Sequence, residues 1–227
     1  MKLKKLPKEL KKIWDWIWNS DSLLSWIIAL ILIFIFVKFI FFPILSLIMG
    51  TSLPLAGVES SSMDHQIIKD DLGILSLCGI YTKNKIEFMD FNEYWRFCGE
   101  WYEENGITKN EFSEFPLKNG FKKGDIVIVY GRFEPKIGDI IIFKANSESL
   151  APRPIVHRIV KIDNKNLAII QTKGDHNEKQ LSKDNNYLKT DETKIFEDQI
   201  IGKVVFKIPY LGWFKIWVTD LLKFIFD

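Results

Sequence analysis

The sequence predicts a mainly β protein: a compact β domain anchored by an N-terminal transmembrane helix, with a small helical insertion. Three observations predict it. One long apolar run, Leu23–Met49, carries a single charge, Lys38. From Gly124 onward, short stretches rich in Ile and Val are bounded by Gly, Pro, Asp and Asn, the pattern of strands and their turns. Between these regions, residues 90–106 read as one capped, aromatic-rich helix. The expected division is 1–21 as a cationic amphipathic segment, 22–48 as the membrane helix and 49–207 as the β domain. The insertion occupies 66–122, and 208–227 forms an apolar C-terminal segment.

The first segment sets Lys2, Lys4, Lys5, Lys8, Lys11 and Lys12 among Leu, Ile and Trp. Leu10, Ile13, Trp14 and Ile17 recur at helical spacing, as in a helix lying on a membrane surface. The apolar run exceeds the ~20 residues a helix needs to cross the hydrocarbon core. It lacks the short core and small-residue exit of a cleaved signal peptide, and so reads as an uncleaved anchor. Pro43 is expected to kink or end it. The lysine excess before the span puts the N-terminus in the cytoplasm and the β domain outside, a single-pass arrangement in a cell membrane.

In the insertion, Asp90 and Glu93 form a capping-box start. Phe91, Trp95, Cys98 and Trp101/Tyr102 follow on one face, and Asn105-Gly106 supplies the stop. The aromatic stripe reads as a packing face, with a lid beside the site as the alternative. Strands are expected over Asp125–Tyr130, Asp139–Lys144, Pro154–Ile162, Leu167–Thr172 and Ile200–Ile208, with Asp175–Asp198 as a long polar excursion. Lys215, Asp220 and Lys223 favour an interfacial helix over a second span for the last segment.

Composition narrows the function. A net charge of +2 gives no basic field for nucleic acid, while 18 Phe and 8 Trp suit contact with membrane lipid. Cys78 and Cys98 form no CxxC and have no histidine at zinc-like spacing, so no metal or other cofactor is expected. The two either close a disulfide outside the cytoplasm or stay as buried thiols.

The stretch Gly50–Met63, GTSLPLAGVESSSM, ends in three serines just beyond the anchor. A serine becomes a nucleophile only when a base reaches its hydroxyl proton. Of the three histidines, His157 lies in PIVHRIVKI, where alternation puts Ile155, His157 and Ile159 on one strand face and Arg158 on the other. His176 sits in a turn sequence, and His65 is close to the serines only along the chain. A base histidine needs a carboxylate to fix its tautomer, and Asp175, Asp184 and Asp191 are the candidates.

GTSLPLAGVESSSM, KKGDIVIV, KIGDIIIFK, PIVHRIV, QTKGDHN and IIGKVVFKIPYLGWFKIW resemble, in order, the boxes of type I signal peptidase, in its archaeal and endoplasmic-reticulum branch. The resemblance covers Gly50–Met63 and 124 to about 217. It implies a signal-peptidase-like β fold, Ser62 as nucleophile, His157 as base and the Ser60 hydroxyl in the oxyanion hole. It also implies two acids: Asp184 is the first choice for the triad, Asp191 stands behind it, and Asp175 is a supporting acid. The implied substrates are signal peptides of exported pre-proteins, cut after small residues, with secretion-machinery subunits as further partners. Three departures stand out: Ser61 where the family has glycine, His65 where it has proline, and the long insertion. The rival reading is a membrane-tethered β module that binds peptides or assembles complexes without catalysis.

Overall fold

A computed structural model describes residues 7–69, 73–83, 89–151, 153–163 and 169–212. The chain divides into two units, Met1–Ile48 and Met49–Asp227. In the first, α1 (Lys8–Asn19) leaves Ile13, Trp14, Trp16 and Trp18 exposed, with the Trp14 and Trp18 rings 5.5 Å apart. A 27-residue helix follows over Leu23–Met49, the one helix among the described residues long and apolar enough to cross a membrane. At 1.5 Å per residue it reaches about 40 Å, enough to cross the hydrocarbon core. It consists of α2 (Leu23–Phe36), a π-helical turn (Val37–Phe41) and α3 (Phe42–Met49). Pro43 therefore does not end the helix. Its missing N–H and its ring are met by the wider turn just before it, a usual way for a helix to continue past a proline. Lys38 places its ammonium over the Phe34 and Phe39 rings, at 5.6 and 5.4 Å.

The second unit is built on a six-stranded antiparallel sheet in the order β1-β5-β9-β6-β7-β8. Its strands are β1 (Leu55–Gly57), β5 (Ile126–Tyr130), β6 (Ile140–Phe143), β7 (Ile155–Asp163), β8 (Ile169–Lys173) and β9 (Ile200–Ile208). The five strands after Gly124 fall where the Ile/Val-rich stretches put them, because each is short, branched and closed by turn residues. β1 is the addition. It pairs with β5, Leu55 opposite Ile128 and Gly57 opposite Ile126, and leads directly into the serine turn. Strand β6 is buried along its whole length, with Ile140 and Ile142 packed toward Val127, Val129 and Met63, and Ile141 and Phe143 toward Ile159 and Ile170. A sheet with both faces covered needs a second layer, and the insertion supplies part of it.

The insertion is more than helical. Besides α4 (Phe91–Glu104) and α5 (Lys109–Ser113), it contains a three-stranded sheet of β2 (Ile68–Lys69), β3 (Leu75–Leu77) and β4 (Ile80–Thr82). Strands of two or three residues are too short to leave an alternation in sequence, so the sequence gives no sign of them. The capping box is present: Asp90 accepts from the Glu93 N–H at 2.8 Å, and Asn105 closes the helix. Tyr94, Trp95, Cys98 and Tyr102 form a buried stripe with Ile67, Leu77, Phe112 and Val160 of β7, so the stripe is a packing face. A disulfide joins Cys78 to Cys98, with Cα atoms 5.4 Å apart. The helix expected in the C-terminal segment lies outside the described residues beyond Gly212, as does the start of the cationic segment.

Candidate active site

The serines stand on a turn after β1, where Asp64 N–H donates to the Ser61 carbonyl at 2.9 Å. Ser60 is exposed and Ser62 half-buried, with their hydroxyls 3.2 Å apart. Ser61 has no left-handed backbone, so the turn closes without the freedom of glycine. Met63 is buried in the sheet core and pins the turn from below. Among the described residues, no acceptor is bonded to the Ser62 main-chain N–H.

His157 comes from the middle of β7, paired with Ile141 of β6, and is 3% exposed. Its ring and the serine turn meet at Gly174, just after β8. A methyl group there would stand 2.7 Å from His157 Nε2 and 2.8 Å from the Ser62 carbonyl oxygen. Gly174 thus owes its identity to a close approach of two site elements. The same loop grips the turn from the other side: His176 N–H donates to the Ser62 carbonyl at 2.9 Å, and His176 Nδ1 donates to the Asp64 carbonyl at 3.0 Å.

The carboxylate on His157 is neither Asp184 nor Asp191. Glu192, fully buried, accepts from His157 Nδ1 with Oε1. The same oxygen accepts the Thr172 hydroxyl at 3.0 Å, and Oε2 accepts the Leu181 N–H at 2.8 Å. The backbone fixes Glu192 as well, since Thr172 N–H donates to its carbonyl and its own N–H donates to Leu181. Asp184 is exposed, and Asp191 turns its Oδ1 to the N–H and hydroxyl of Thr193 at 3.0 and 2.7 Å. The aspartates expected from sequence, Asp184 and Asp191, stand aside, and Glu192, next to Asp191, is the acid that reaches the imidazole.

Asp175 holds a separate network. Arg158, on the opposite face of β7 from His157, donates to it from Nε at 2.9 Å and from Nη2 at 2.6 Å. Both residues are fully buried. The rest of the guanidinium caps the carbonyls of Pro116, Leu117 and Gly138. Asp175 also accepts from Tyr102 Oη at 3.1 Å and from His65 Nε2 at 2.9 Å. Burial raises the pKa of Asp175, but the Arg158 charge and the His65 and Arg158 hydrogen bonds outweigh it, leaving the carboxyl well below the usual carboxylate range. Burial lowers the pKa of His65 against the pull of Asp175. His65 stacks on Tyr94 with ring centroids 3.6 Å apart, so this second imidazole is a packing and hydrogen-bonding element of the insertion's seat.

Beside this network lies Lys173, fully buried. Burial pushes its pKa down to about 8, although Asp175 and Glu192 favour its charge. Its ammonium donates to the Gly174 carbonyl at 3.1 Å and sits 4.8 Å from the Tyr102 ring centroid and 5.2 Å from that of Trp101. Among the described residues, no cluster of His, Cys, Asp and Glu has the arrangement of a metal site.

Comparison with curated proteins finds signal peptidase complex catalytic subunits among the relatives of this chain. The chain is 30% identical over 111 residues to the signal peptidase complex catalytic subunit SEC11 of Zygosaccharomyces rouxii, covering 46% of this chain and 61% of that one. It is 36% identical over 121 residues to the corresponding sec11 of Schizosaccharomyces pombe, covering 50% and 57%. It is 30% identical over 112 residues to SEC11C of Homo sapiens, covering 48% and 55%. No protein-family model matches. These relatives come from two yeasts and a mammal and lend no support to an archaeal origin. The chain spans little more than half the length of the curated relatives it matches.

Proposed function

We propose, from its distant homology to the signal peptidase catalytic subunits, that this chain is a membrane-anchored serine endopeptidase that removes signal peptides from exported pre-proteins after small residues. The observation that carries the reading is the convergence at Gly174 of the Ser62 main chain and His157 Nε2, with Glu192 behind the imidazole. A solvent-reachable hydroxyl pair beside a buried, oriented base is the arrangement acyl transfer requires.

Ser62 Oγ turns from Ser60 Oγ toward His157 Nε2, a side-chain rotation well within thermal reach. His157 takes the hydroxyl proton as the oxygen attacks the carbonyl before the cut. Glu192, in the role expected of Asp184 from sequence, keeps the proton of neutral His157 on Nδ1 and stabilises the imidazolium. The Ser62 N–H and the Ser60 hydroxyl receive the oxyanion, one such donor contributing ~3 kcal/mol. Collapse breaks the peptide bond, His157 returns the proton to the departing amine, and water then hydrolyses the ester on Ser62 by the same base. Asp175 supports the site through Arg158. No cofactor enters the reaction.

The substrate's extended backbone pairs along the open edge of β1, which runs into the nucleophile turn, and shallow pockets admit small side chains. The N-terminus is cytoplasmic and the β domain extracytoplasmic; the Cys78–Cys98 disulfide supports an oxidising side of the membrane. The anchor raises the effective concentration of enzyme and substrate in one membrane. Partner subunits of a peptidase complex are expected, as for the relatives so named.

The test is cleavage of a fluorescent pre-protein segment by protein purified in detergent. Wild type is expected to cut, and Ser62→Ala and His157→Ala to lose nearly all turnover. Equal cleavage by wild type and Ser62→Ala overturns the mechanism and favours the non-catalytic peptide-binding module.

A further inference from the structure

The insertion meets one short segment, Lys173–His176, at every residue except Gly174, and it also reaches the nucleophile turn directly where Phe121 N–H donates to the Met63 carbonyl at 3.1 Å. Cys78 N–H, held by the disulfide to Cys98, donates to the His176 carbonyl at 3.0 Å. Tyr94 Oη donates to the Asp175 carbonyl at 2.9 Å, and Tyr102 Oη to the Asp175 carboxylate at 3.1 Å. The Trp101 and Tyr102 rings cover the Lys173 ammonium, which in turn holds the Gly174 carbonyl. The other side of the same loop holds the nucleophile turn: His176 N–H bonds the Ser62 carbonyl, His176 Nδ1 the Asp64 carbonyl, and Asp175 N–H lies 3.4 Å from Met63 Sδ.

We infer that the insertion is a positioning clamp: α4 and the disulfide-bonded β3–β4 turn fix the Lys173–His176 loop, and that loop sets the distance between Ser62 and His157. The clamp rests on the peptidase reading for its effect on rate, but its geometry does not. Two separate contributions lie behind it. Glu192 orients the base from beside β8, and the insertion orients the nucleophile through the Lys173–His176 segment. Tyr94, Tyr102, Cys78 and Cys98 touch neither the reacting atoms nor the edge of β1. They act through the loop.

The experiment is the double variant Tyr94→Phe/Tyr102→Phe in the full-length protein, which removes both hydroxyl donors while keeping the rings that stack on His65 and pack on Phe112. Two readouts are taken well below the melting temperature: the kcat and KM of pre-protein cleavage, and amide hydrogen exchange of peptides covering 58–66 and 172–178. A fall in kcat of about tenfold or more is expected, since small displacements of reacting groups are costly. KM should stay within twofold, and exchange should quicken in both peptides. An element needed only for folding would lower the melting temperature and quicken exchange across the whole domain alike, leaving kcat, and the exchange of 58–66 and 172–178 relative to the rest of the domain, unchanged. A kcat within twofold of wild type, or unchanged exchange at 172–178, overturns the clamp. If wild type itself does not cleave, the peptidase reading fails alone, and the exchange difference decides the clamp. Should the double variant not fold, Cys78→Ala/Cys98→Ala is read in the same two ways.

Discussion

Replacing Glu192 by Gln keeps the shape of the side chain and removes one acceptor, and the surrounding donors decide the outcome. Three N–H and O–H groups converge on the carboxylate: His157 Nδ1 and the Thr172 hydroxyl on Oε1, and the Leu181 N–H on Oε2. A glutamine that keeps its oxygen on His157 turns its NH2 against the Leu181 N–H, leaving a buried donor unpaired at a cost of about 1–3 kcal/mol. The flipped amide avoids that conflict by presenting NH2 to His157. Nδ1 must then accept, the ring proton moves to Nε2, and Nε2 can no longer take a proton from Ser62. A base held in the wrong tautomer costs a serine peptidase about ten-thousandfold in kcat. With part of the population in the unflipped state, a loss of roughly a hundredfold to ten-thousandfold is expected, or about 3–5.5 kcal/mol of barrier. KM should hardly change, because Glu192 is buried away from the edge of β1. The assay is steady-state cleavage of the pre-protein segment, run beside Asp184→Asn, which alters an exposed side chain and should stay within twofold of wild type. A Glu192→Gln variant retaining more than a tenth of wild-type kcat, or an equal loss in Asp184→Asn, refutes the assignment.

Gly174→Ala drives a methyl group to within 2.8 Å of both His157 Nε2 and the Ser62 carbonyl, so kcat should fall at least tenfold in a protein that still folds by circular dichroism. Ser60→Ala should slow turnover by roughly a hundredfold with little change in KM, as expected for a lost oxyanion donor. Asp175→Ala leaves the Arg158 guanidinium buried without its counter-charge, and the domain should lose about 3–5 kcal/mol in urea titration. Lys173 makes a pH prediction. Its folded pKa, about 8, lies below the unfolded value, so between the two the unfolded chain binds more protons and stability rises with pH. From pH 8 to 9.5 wild type should gain about 1.5 kcal/mol over Lys173→Met, the tyrosine contribution being common to both proteins. A flat difference would show that the amine is not held neutral by burial.

The parts of the fold that sequence makes legible are those with a local cause. The anchor needs only length and apolarity, α4 only its capping box and stripe, and the later strands only branched residues between turns. Strands β1 to β4 are short and exist because of their partners, and such non-local pairing leaves no periodicity to read. Within the site, His157 is legible because few histidines compete for the role and because its strand alternates. Glu192 is not, because nothing local separates it from Asp191. Thr172 and Leu181 select it, through backbone pairing that brings residue 192 beside β8. His65 shows the same limit. It stands next to the serines in sequence, yet Tyr94 and Asp175 draw it into the insertion's seat.

The division of labour between the two buried carboxylates follows from counting acceptor sites. A carboxylate offers about four lone-pair directions. Those of Asp175 are taken by Arg158 Nε and Nη2, Tyr102 Oη and His65 Nε2. Arg158 cannot surrender its share without leaving a buried charge uncompensated, so Asp175 has nothing to offer His157 on the opposite face of β7. Among the described residues no guanidinium or ammonium is hydrogen-bonded to Glu192, although the Lys173 amine lies near enough to feel its charge. The partners of Glu192, apart from His157, are a hydroxyl and a backbone N–H, which fix its position without neutralising it. Its charge therefore remains available to an imidazolium as that forms. Both acids lie within one polar stretch of chain, but in the proposed mechanism only the one without an arginine answers a proton arriving at His157.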